Sequence, residues 1–370
     1  MTTKSVGILS TGSYLPSTVV SNTEIARDAG VTPEWIARKT GIEERRRAAD
    51  HQAASDLAVS AAREALEQAG VHPGELSYIV LATSTPDHPQ PATASIVQGR
   101  IGATKAAAFD VNAVCSGFVY ALTVTERMLS SQPGHGFGLV IGVDVYSRIL
   151  DYSDPKTCIL FGDGAGAVVL GPVPRHQGVL ESSLATHGDQ HALIRVPAGG
   201  SRIPLTAAAL EAGQHFFRMD GRRVRDFVQE NLPEHLARLT SGTDVPLADV
   251  DHFVPHQANG VMLADVWPKL SLSNAAMHLT LERYGNTGAA SVPITLDEVH
   301  RQGLLSEDEV VLLSGFGGGM NVGSVLLRWA ATAHARYRSA ECRLPRRSAV
   351  GSCPSRVHFP ALRPADPNRP

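Results

Sequence analysis

The sequence VVLLSGF at residues 310–316 runs directly into GGGMNVGSVLL at residues 317–327. This order predicts an apolar strand, a glycine-rich turn and a second apolar strand. The first half of the chain carries the same pattern, with LVIGVDV at 139–145 followed by FGDGAGAVVLG at 161–171. Chance can produce such a likeness, but a duplicated α/β unit accounts for it directly.

The composition is that of an ordinary globular protein: 370 residues, 43% hydrophobic and 19% charged, with a formal net charge of -3. A single hydrophobic core seldom grows beyond about 250–300 residues, so this length predicts two core units. We place them at residues 1–172 and 178–330, with the junction in PVPRHQG (172–178). The nearly neutral charge gives no reason to expect a nucleic-acid or membrane partner.

Helical and strand-like segments alternate along both halves. SDLAVSAAREALEQAG (55–70) places its apolar residues on one helical face and ends at Gly70, a plausible C-cap. YIVLAT (78–83) then predicts a buried strand, and similar apolar runs recur at 253–254 and 322–327. This alternation predicts an α/β fold with covered sheets.

Cysteine usage and hydropathy indicate the compartment. The chain has four cysteines but no CxxC or zinc-type spacing, which argues against a disulfide framework and for a reducing compartment. No run of about 18 apolar residues is present, so we expect a cytoplasmic protein without a membrane span.

Residues 331–370 are rich in Pro and Arg without periodicity, which predicts a disordered basic tail. The charged run at 43–47 predicts a solvated face.

Cys115 lies where the strand-like run from Phe109 gives way to an uncharged helical segment that begins near Ser116. A thiol at a helix N-terminus faces unpaired N–H groups, and these favour the thiolate. A buried free cysteine is, however, usually a small core residue. The local sequence leaves both interpretations open.

Two further segments carry candidate catalytic side chains. His256 directly follows a short apolar strand, and Asn286 lies in the small-residue loop YGNTGAAS (284–291). Strand ends and tight loops are where α/β folds place reactive groups. Taken alone, a histidine is more often structural, and a Gly-Asn pair is usually a turn. The glycine run at 315–319 would let backbone N–H groups approach a bound group closely.

Three rival sites are not favoured. No Lys-Ser/Thr follows the glycine run at 315–319, which excludes a phosphate-binding P-loop. The segment GDGAG (162–166) leads into a strand instead of opening a helix, unlike a dinucleotide fingerprint. His187 and His191, with Asp189 between them, lack a second cluster of ligands, so we predict no metal site.

A series of short motifs follows one order along the chain, from about Ser5 to Arg328. They are YLP (14–16), WI (35–36), TGI (40–42), TPD (85–87), NAVCSGF (112–118), FGDGAG (161–166), HQAN (256–259), GNT (285–287) and the glycine run at 315–319. Together they resemble the β-ketoacyl-acyl carrier protein synthase III family of the thiolase superfamily. Any one motif is weak, but their joint register is very specific.

The resemblance implies a thiolase-like α/β fold: a duplicated αβαβα arrangement in two similar halves, each with a mixed five-stranded sheet, and usually a homodimer. It implies a catalytic triad of Cys115, in the first half, with His256 and Asn286, in the second. An acyl-CoA would acylate Cys115. A decarboxylative Claisen condensation with malonyl-acyl carrier protein would follow, priming fatty-acid or polyketide synthesis.

The same resemblance assigns supporting roles. Gly318 would complete an oxyanion hole with the N–H of Cys115, and Phe316 would desolvate the malonyl carboxylate. The two thioesters are substrates, and no cofactor is expected. We expect the following residues to contact CoA or the carrier protein: Trp35, Lys39, Lys156, Arg222, Arg225, Asn259 and Lys269.

The chain departs from the family pattern where the carrier protein docks. Val261 replaces an arginine, and Pro268 stands where a lysine is usual. Arg222, Arg223 and Arg225 would supply a replacement basic face, since carrier proteins are acidic.

These departures, with Gly288 in place of the usual serine, indicate a specialised member of the family, such as a synthase that supplies a starter unit for polyketides. The alternative is an acyltransferase that moves the intact acyl group to a carrier protein or a hydroxyl without decarboxylation. Retention of Asn286 favours condensation, because some transferase relatives alter that position.

Overall fold

The computed structural model describes residues 5–134 and 136–330. Two five-stranded sheets carry the fold, and two pairs of short strands lie outside them. The strands are β1 (Val6–Tyr14), β2 (Thr18–Ser21), β3 (Glu44–Arg47), β4 (Leu76–Ala82), β5 (Ala107–Val111), β6 (Phe137–Val145), β7 (Asp163–Pro172), β8 (Gly178–Thr186), β9 (Ile194–Arg195), β10 (Arg218–Met219), β11 (His252–Pro255), β12 (Ala276–Met277), β13 (Val310–Gly317) and β14 (Asn321–Arg328).

Helices connect most of these strands. Within the described ranges they are α1 (Asn22–Ala29), α2 (Pro33–Thr40), α3 (Ala54–Ala69), α4 (Thr93–Ile101), α5 (Gly117–Ser131), α6 (Ala207–Glu211), α7 (Gly221–Thr240), α8 (Gly260–Val266), α9 (Leu281–Tyr284) and α10 (Ser291–Arg301). The helix predicted at 55–70 is α3, and Gly70 ends it in the left-handed conformation with a φ of 63°.

The two large sheets share one strand order and one pattern of directions. The first sheet runs β1-β7-β6-β4-β5 and the second runs β8-β14-β13-β11-β12. In each sheet the first three strands pair antiparallel and the last three pair parallel. The repeat seen in the sequence forms β6–β7 in one half and β13–β14 in the other, at equivalent places. The predicted α/β fold, with two similar halves that each hold a mixed five-stranded sheet, is confirmed.

Helices form three layers around the two sheets. α5 and α10 lie between the sheets, where Phe118, Leu122 and Leu296 join one apolar cluster with strand residues from both sheets. The alanine-rich side of α3 covers the other face of the first sheet. α7 and α8 cover the other face of the second sheet. Because each buried large apolar side chain contributes about 1.5–3 kcal/mol, the central layer fixes the two halves against each other.

The prediction of a solvated face at 43–47 is wrong. β3 pairs with β2, and Arg45 is only 2% exposed. Its guanidinium donates to Oδ1 of Asn22 and to the carbonyl oxygen of Ile159, both at 2.8 Å. Burial lowers the pKa of Arg45 to about 10. A run of charges in the sequence does not reveal which member points inward.

β7 ends at Pro172, and β8 opens the second sheet at Gly178. The boundaries 1–172 and 178–330 stay a prediction, and the predicted tail at 331–370 lies outside the described residues. In the part of the chain that the structure describes, no helix is long and apolar enough to cross a membrane.

Candidate active site

Cys115 lies in a tight turn between a strand and a helix. β5 ends at Val111, a short 3₁₀ turn covers Val114–Ser116, and α5 begins at Gly117. Val114, directly before the cysteine, has a positive φ of 49°. This conformation is costly for a β-branched residue, and such strain concentrates at functional turns.

The glycine run packs against this turn. A Cβ atom on Gly317 would lie 2.7 Å from the Cβ of Cys115, and one on Gly315 would lie 2.8 Å from the Cα of Ser116. Real side chains do not fit at these distances, so β13 approaches the cysteine only because these positions are glycine. The density of glycine is thus explained by the packing of the second half against the nucleophile.

Burial disfavours ionisation of the Cys115 thiol. Burial, followed by the negative charge of Asp144, raises the pKa of Cys115 to about 12, and a hydrogen bond with Tyr146 opposes this shift only in part. A backbone hydrogen bond lowers the pKa of Cys115, as predicted for a helix N-terminus, but burial outweighs it.

His256 directly follows β11 and is 1% exposed. Its Nδ1 atom lies 2.7 Å from the hydroxyl oxygen of Ser291, which also accepts the N–H of Gln257 at 3.3 Å. The Gln257 N–H occupies one lone pair of the Ser291 oxygen, and the Ser291 proton is free to be donated to Nδ1, an arrangement that leaves the ring proton on Nε2. Burial lowers the pKa of His256 to about 3, so the imidazole is neutral and carries one ring proton, which lies on Nε2 when Ser291 donates to Nδ1.

Asn286 is held by backbone and side-chain contacts. Its N–H donates to the carbonyl of Leu160 at 2.8 Å, and its carbonyl accepts the N–H of Gly162 at 3.0 Å. Its Oδ1 atom accepts the N–H of Gly288 at 2.9 Å. With the amide oxygen occupied, the Nδ2 group is the part of the side chain left to donate to a bound molecule.

One cavity of about 1260 Å³ brings these three side chains together. Cys115, His256 and Asn286 line it with Phe316 and Gly317. The cysteine comes from the first half of the chain and the other two from the second half, although 141 residues separate Cys115 from His256 in the sequence (256 − 115).

The remaining predicted residues divide into two groups. The predicted CoA or carrier contacts that line the cavity are Trp35, Lys39, Lys156, Arg222, Arg225 and Asn259. Lys269 lies outside it, with its Nζ atom 3.4 Å from Oε1 of Gln229. Gly318 follows the lining residue Gly317 but is not itself among the lining residues, and its carbonyl accepts from Nδ2 of Asn321 at 2.6 Å.

Two of the cavity residues have partners of their own. Arg225 forms an ion pair with Asp265 at 2.6 Å. The side chain of Asn259 caps α8 by accepting the N–H of Met262 at 3.0 Å, and it donates to the carbonyl of Lys39 at 3.1 Å. Asn259 therefore holds α8 against α2, and this positions Lys39 at the cavity.

Sequence reasoning missed Asp144 and Tyr146, which lie behind the cysteine turn. Any Cβ on Gly288, whose φ is 58°, would overlap the Asp144 carboxylate and the Tyr146 ring. The two side chains fill the space that a residue at 288 would need, which explains the glycine in physical terms. An acidic residue in the apolar run LVIGVDV was the signal that could have pointed to this network.

Two family models and several known proteins match this chain. The family model described as 3-oxoacyl-[acyl-carrier-protein] synthase III matches residues 109–188, and the model for the C terminal of the same enzymes matches residues 241–329. The chain is 54% identical over 324 residues to the acetoacetyl CoA synthase NphT7 of Streptomyces sp. (strain CL190), covering 87% of this chain and 98% of that protein. It is 40% identical over 329 residues to a β-ketoacyl-[acyl-carrier-protein] synthase III of Symbiobacterium thermophilum, covering 89% and 99%.

Solved structures give the same result. The structure of 3-oxoacyl-(acyl carrier protein) synthase III, FabH, from Pseudomonas aeruginosa PAO1 matches with a TM-score of 0.81 and 36% identity, covering 89% of this chain and 100% of that one. The priming β-ketosynthase from the R1128 polyketide biosynthetic pathway matches with a TM-score of 0.81 and 29% identity, covering 89% and 97%.

Proposed function

The chain belongs to the 3-oxoacyl-[acyl-carrier-protein] synthase III family, as the motifs of its sequence indicated, and from this premise we propose that it is a condensing enzyme. It joins an acyl group taken from acyl-CoA to a malonyl thioester by decarboxylative Claisen condensation. The observation that carries this proposal is the convergence of Cys115, His256 and Asn286 on one cavity that Trp35 also lines.

In the first half-reaction, the Cys115 sulfur gives up its proton and attacks the acyl-CoA carbonyl, the thioester bond to CoA breaks, and CoA leaves as the free thiol after taking up one proton. Cys115 and Gly318 each lie in the first turn of a short 3₁₀ segment, where N–H groups lack partners within the segment. Two such N–H groups suit the negative charge that develops on the carbonyl oxygen. This supports Gly318 as the second donor of the oxyanion hole.

In the second half-reaction, the malonyl thioester loses CO₂ and the enolate attacks the acyl group on Cys115. Negative charge develops on the thioester oxygen of the enolate, where hydrogen-bond donors are needed. The contact of Asn286 with the N–H of Gly288 leaves its Nδ2 group free to donate to this oxygen, and Ser291 donating to Nδ1 leaves the Nε2–H of His256 for the same role.

Phe316 supports the loss of CO₂. Its ring packs edge-on against His256, with the ring centroids 5.3 Å apart, and it lines the cavity. A carboxylate held against an apolar wall loses favourable solvation free energy, whereas neutral CO₂ loses little. The wall therefore favours decarboxylation.

Intact acyl transfer is the second candidate. It uses the same acyl-enzyme, but it forms no enolate and so needs no donor pair on the malonyl side. The retained and oriented amide of Asn286 supports condensation over transfer. The two reactions differ in whether CO₂ appears.

We further propose malonyl-CoA, in preference to malonyl-acyl carrier protein, as the second substrate. Carrier proteins are acidic and dock on basic surfaces. The ion pair with Asp265 neutralises Arg225 at the cavity, and apolar Val261 is 39% exposed beside it. The relative named acetoacetyl CoA synthase carries a CoA product in its name, which supports the same choice.

Assembly and location follow from the same proposal. The edge strand β5 has partly exposed residues along most of its length, and pairing with the same strand of a second copy would extend the first sheet in a homodimer. The chemistry needs two thioesters as substrates and no resident cofactor. CoA thioesters of this kind fit a cytoplasmic enzyme.

Incubation with acetyl-CoA and malonyl-CoA tests the proposal. We expect an acetyl adduct on Cys115 by intact-mass measurement and a product two carbons longer than the acyl donor. Cys115→Ala should give neither, whereas Asn286→Ala should give the adduct without the product. An unchanged acyl group on an acceptor, with no CO₂, would replace condensation by transfer.

A further inference from the structure

Asn321 lies at the start of β14 and has no role in the chemistry above. It is 9% exposed, and it pairs with Gly317 of β13 on one side and with Thr186 of β8 on the other. It is not among the residues that line the cavity, so it can act on the reaction only through its neighbours.

The side-chain amide of Asn321 is held by a hydrogen bond at each end. Its Nδ2 group donates to the carbonyl oxygen of Gly318 at 2.6 Å, and its Oδ1 atom accepts the hydroxyl of Thr186, also at 2.6 Å. Because a carbonyl oxygen can only accept, the nitrogen end of the amide is the one that faces Gly318. The carbonyl group of Gly318 is therefore tied through Asn321 to the end of β8.

The backbone of Asn321 also reaches the cysteine turn. Its carbonyl oxygen accepts the hydroxyl of Ser116 at 3.1 Å. Ser116 is fully buried and directly follows Cys115. One residue of the second half thus holds both segments of the proposed oxyanion hole, the cysteine turn through Ser116 and the glycine run through Gly318.

The glycine run needs such a contact from outside. Glycine loses more conformational freedom on folding than any other residue, and an oxyanion hole works only when its donors are oriented before the reaction. A Cβ atom on Gly319, whose φ is 75°, would lie 2.7 Å from Nδ2 of Asn321. One on Gly318 would lie 2.9 Å from Cγ2 of Val114, the residue before the cysteine. The run is therefore packed between the Asn321 side chain and the cysteine turn.

We propose that Asn321 is a positioning residue for the oxyanion hole, an inference that rests on the proposed function. Its amide holds the carbonyl group of Gly318 and its own carbonyl holds Ser116, so the N–H groups of Cys115 and Gly318 keep a fixed separation. As the Cys115 sulfur attacks, the thioester carbonyl becomes tetrahedral and its oxygen gains negative charge. Two donors that are already oriented stabilise this charge without reorganisation.

The proposed mechanism uses two separate sets of donors, and Asn321 serves only one of them. The donors for the malonyl thioester are His256 and Asn286, which have their own contacts in the second half of the chain. Loss of CO₂ from malonyl-CoA needs only this second set. A change at Asn321 should therefore slow the reactions at the Cys115 sulfur and leave decarboxylation unchanged.

Time-resolved intact-mass measurement of acylation by acetyl-CoA, at several concentrations, tests this role. Asn321→Asp keeps the shape of the side chain and the acceptor for Thr186, but it replaces the donor to Gly318 by a second acceptor. Ser116→Ala is the milder variant, because it removes only the hydroxyl that the Asn321 carbonyl accepts. Asn231→Asp is the matched control, since Nδ2 of Asn231 likewise donates to a backbone carbonyl, within α7, at 2.8 Å.

We expect the maximal acylation rate to fall about 10²-fold in Asn321→Asp, the loss that a misplacement of about 1 Å can cause. Ser116→Ala, which loses one hydrogen bond, should fall about tenfold. The acetyl-CoA concentration that gives half the maximal rate should stay unchanged, because Asn321 does not line the cavity. Asn231→Asp should match the wild type in every measurement.

Release of CO₂ from malonyl-CoA without an acyl donor distinguishes positioning from a general structural role. It should keep the wild-type rate in both variants. Unchanged acylation in both variants would overturn the inference, as would an equal loss in acylation and in CO₂ release, or a loss confined to acetyl-CoA binding. A wild type that is never acylated would instead remove the proposed function.

Discussion

The Nδ1 atom of His256 lies 2.7 Å from the hydroxyl oxygen of Ser291, at the start of α10. When Ser291 donates its hydroxyl proton in this contact, the ring proton lies on Nε2 and the imidazole donates into the cavity, as the proposed mechanism requires. The two residues are 35 positions apart in the sequence, and β11 and α10 bring them together. In the proposed mechanism the histidine is a neutral donor, and its contact with the serine orients the ring.

Ser291→Ala removes the proton that Nδ1 accepts, so His256 is expected to redistribute between its two tautomers. Loss of a whole donor costs ~10²–10³ in rate, and a shifted tautomer population should cost less, about tenfold, in condensation. Acylation of Cys115 should keep its rate. Single-turnover measurement of each half-reaction checks this. Ser324→Ala is the control, because Ser324 is a buried serine whose hydroxyl bonds to that of Ser314. Equal losses in both half-reactions would contradict the assignment.

Asn286 is expected to act only in the second half-reaction. Asn286→Ala should lower condensation by ~10²–10³ while the Cys115 adduct still forms. Asn286→Asp, which keeps the shape and replaces the donor by an acceptor, should lose at least as much. Rapid-quench analysis of the pre-acylated enzyme with malonyl-CoA measures the effect. Normal condensation by Asn286→Asp would show that the Nδ2 group is not needed.

Gly288→Ser restores the residue usual in the family and is expected to harm this chain. The new Cβ would overlap Asp144 and Tyr146, and its positive φ adds strain of about 1 kcal/mol. Gly303→Ser is the matched control, because Gly303 has a similar φ of 69° but no atom near its Cβ position. We expect the first variant to lose several-fold more unfolding free energy than the control in urea melts. Equal losses would mean that strain alone matters at 288.

The pH dependence of condensation should lack a histidine inflection. Burial lowers the pKa of His256 to about 3, so the ring stays neutral between about pH 5 and 8. The native state binds fewer protons here than the unfolded chain, so His256 contributes stability above about 6.5 that is lost as pH falls toward about 3. Single turnovers of pre-acylated enzyme should show no step near pH 6.5. A rate that falls through that pH would contradict the neutral donor.

Asp265→Asn releases Arg225 from its ion pair and should make the cavity entrance more basic. We expect the rate constant kcat/KM to rise several-fold with malonyl-acyl carrier protein and to change little with malonyl-CoA. The gain should shrink as salt is added, since it depends on exposed charges. Asp226→Asn, a change of equal charge at the exposed α7 position that follows Arg225, serves as the control. An equal gain for both substrates would indicate a general effect of charge.

The fold was largely predictable, because its signals are local. The strand–glycine–strand repeat at 139–171 and 310–327 predicts two similar halves. The position of α3 is predicted by its apolar face, and its end by Gly70. The burial of Arg45 was not predictable, because its partners Asn22 and Ile159 are brought together only by the fold.

Part of the active site was also predictable from the sequence, and part of it was not. Cys115, His256 and Asn286 stand in recognisable motifs, and the cavity joins them. The raised pKa of the Cys115 thiol and the network of Asp144 with Tyr146 depend on burial and on contacts across the two halves, and neither quantity is encoded in a short motif. Gly288 was visible as a departure from the family, but its reason appears only in three dimensions.

The stoichiometry of CO₂ to product is the most direct test of the central claim. With acetyl-CoA as donor and malonyl-CoA as the second substrate, we expect one CO₂ for each two-carbon-longer product, and no product from Cys115→Ala. Acyl transfer without CO₂, or product formation by Cys115→Ala, would contradict condensation through Cys115.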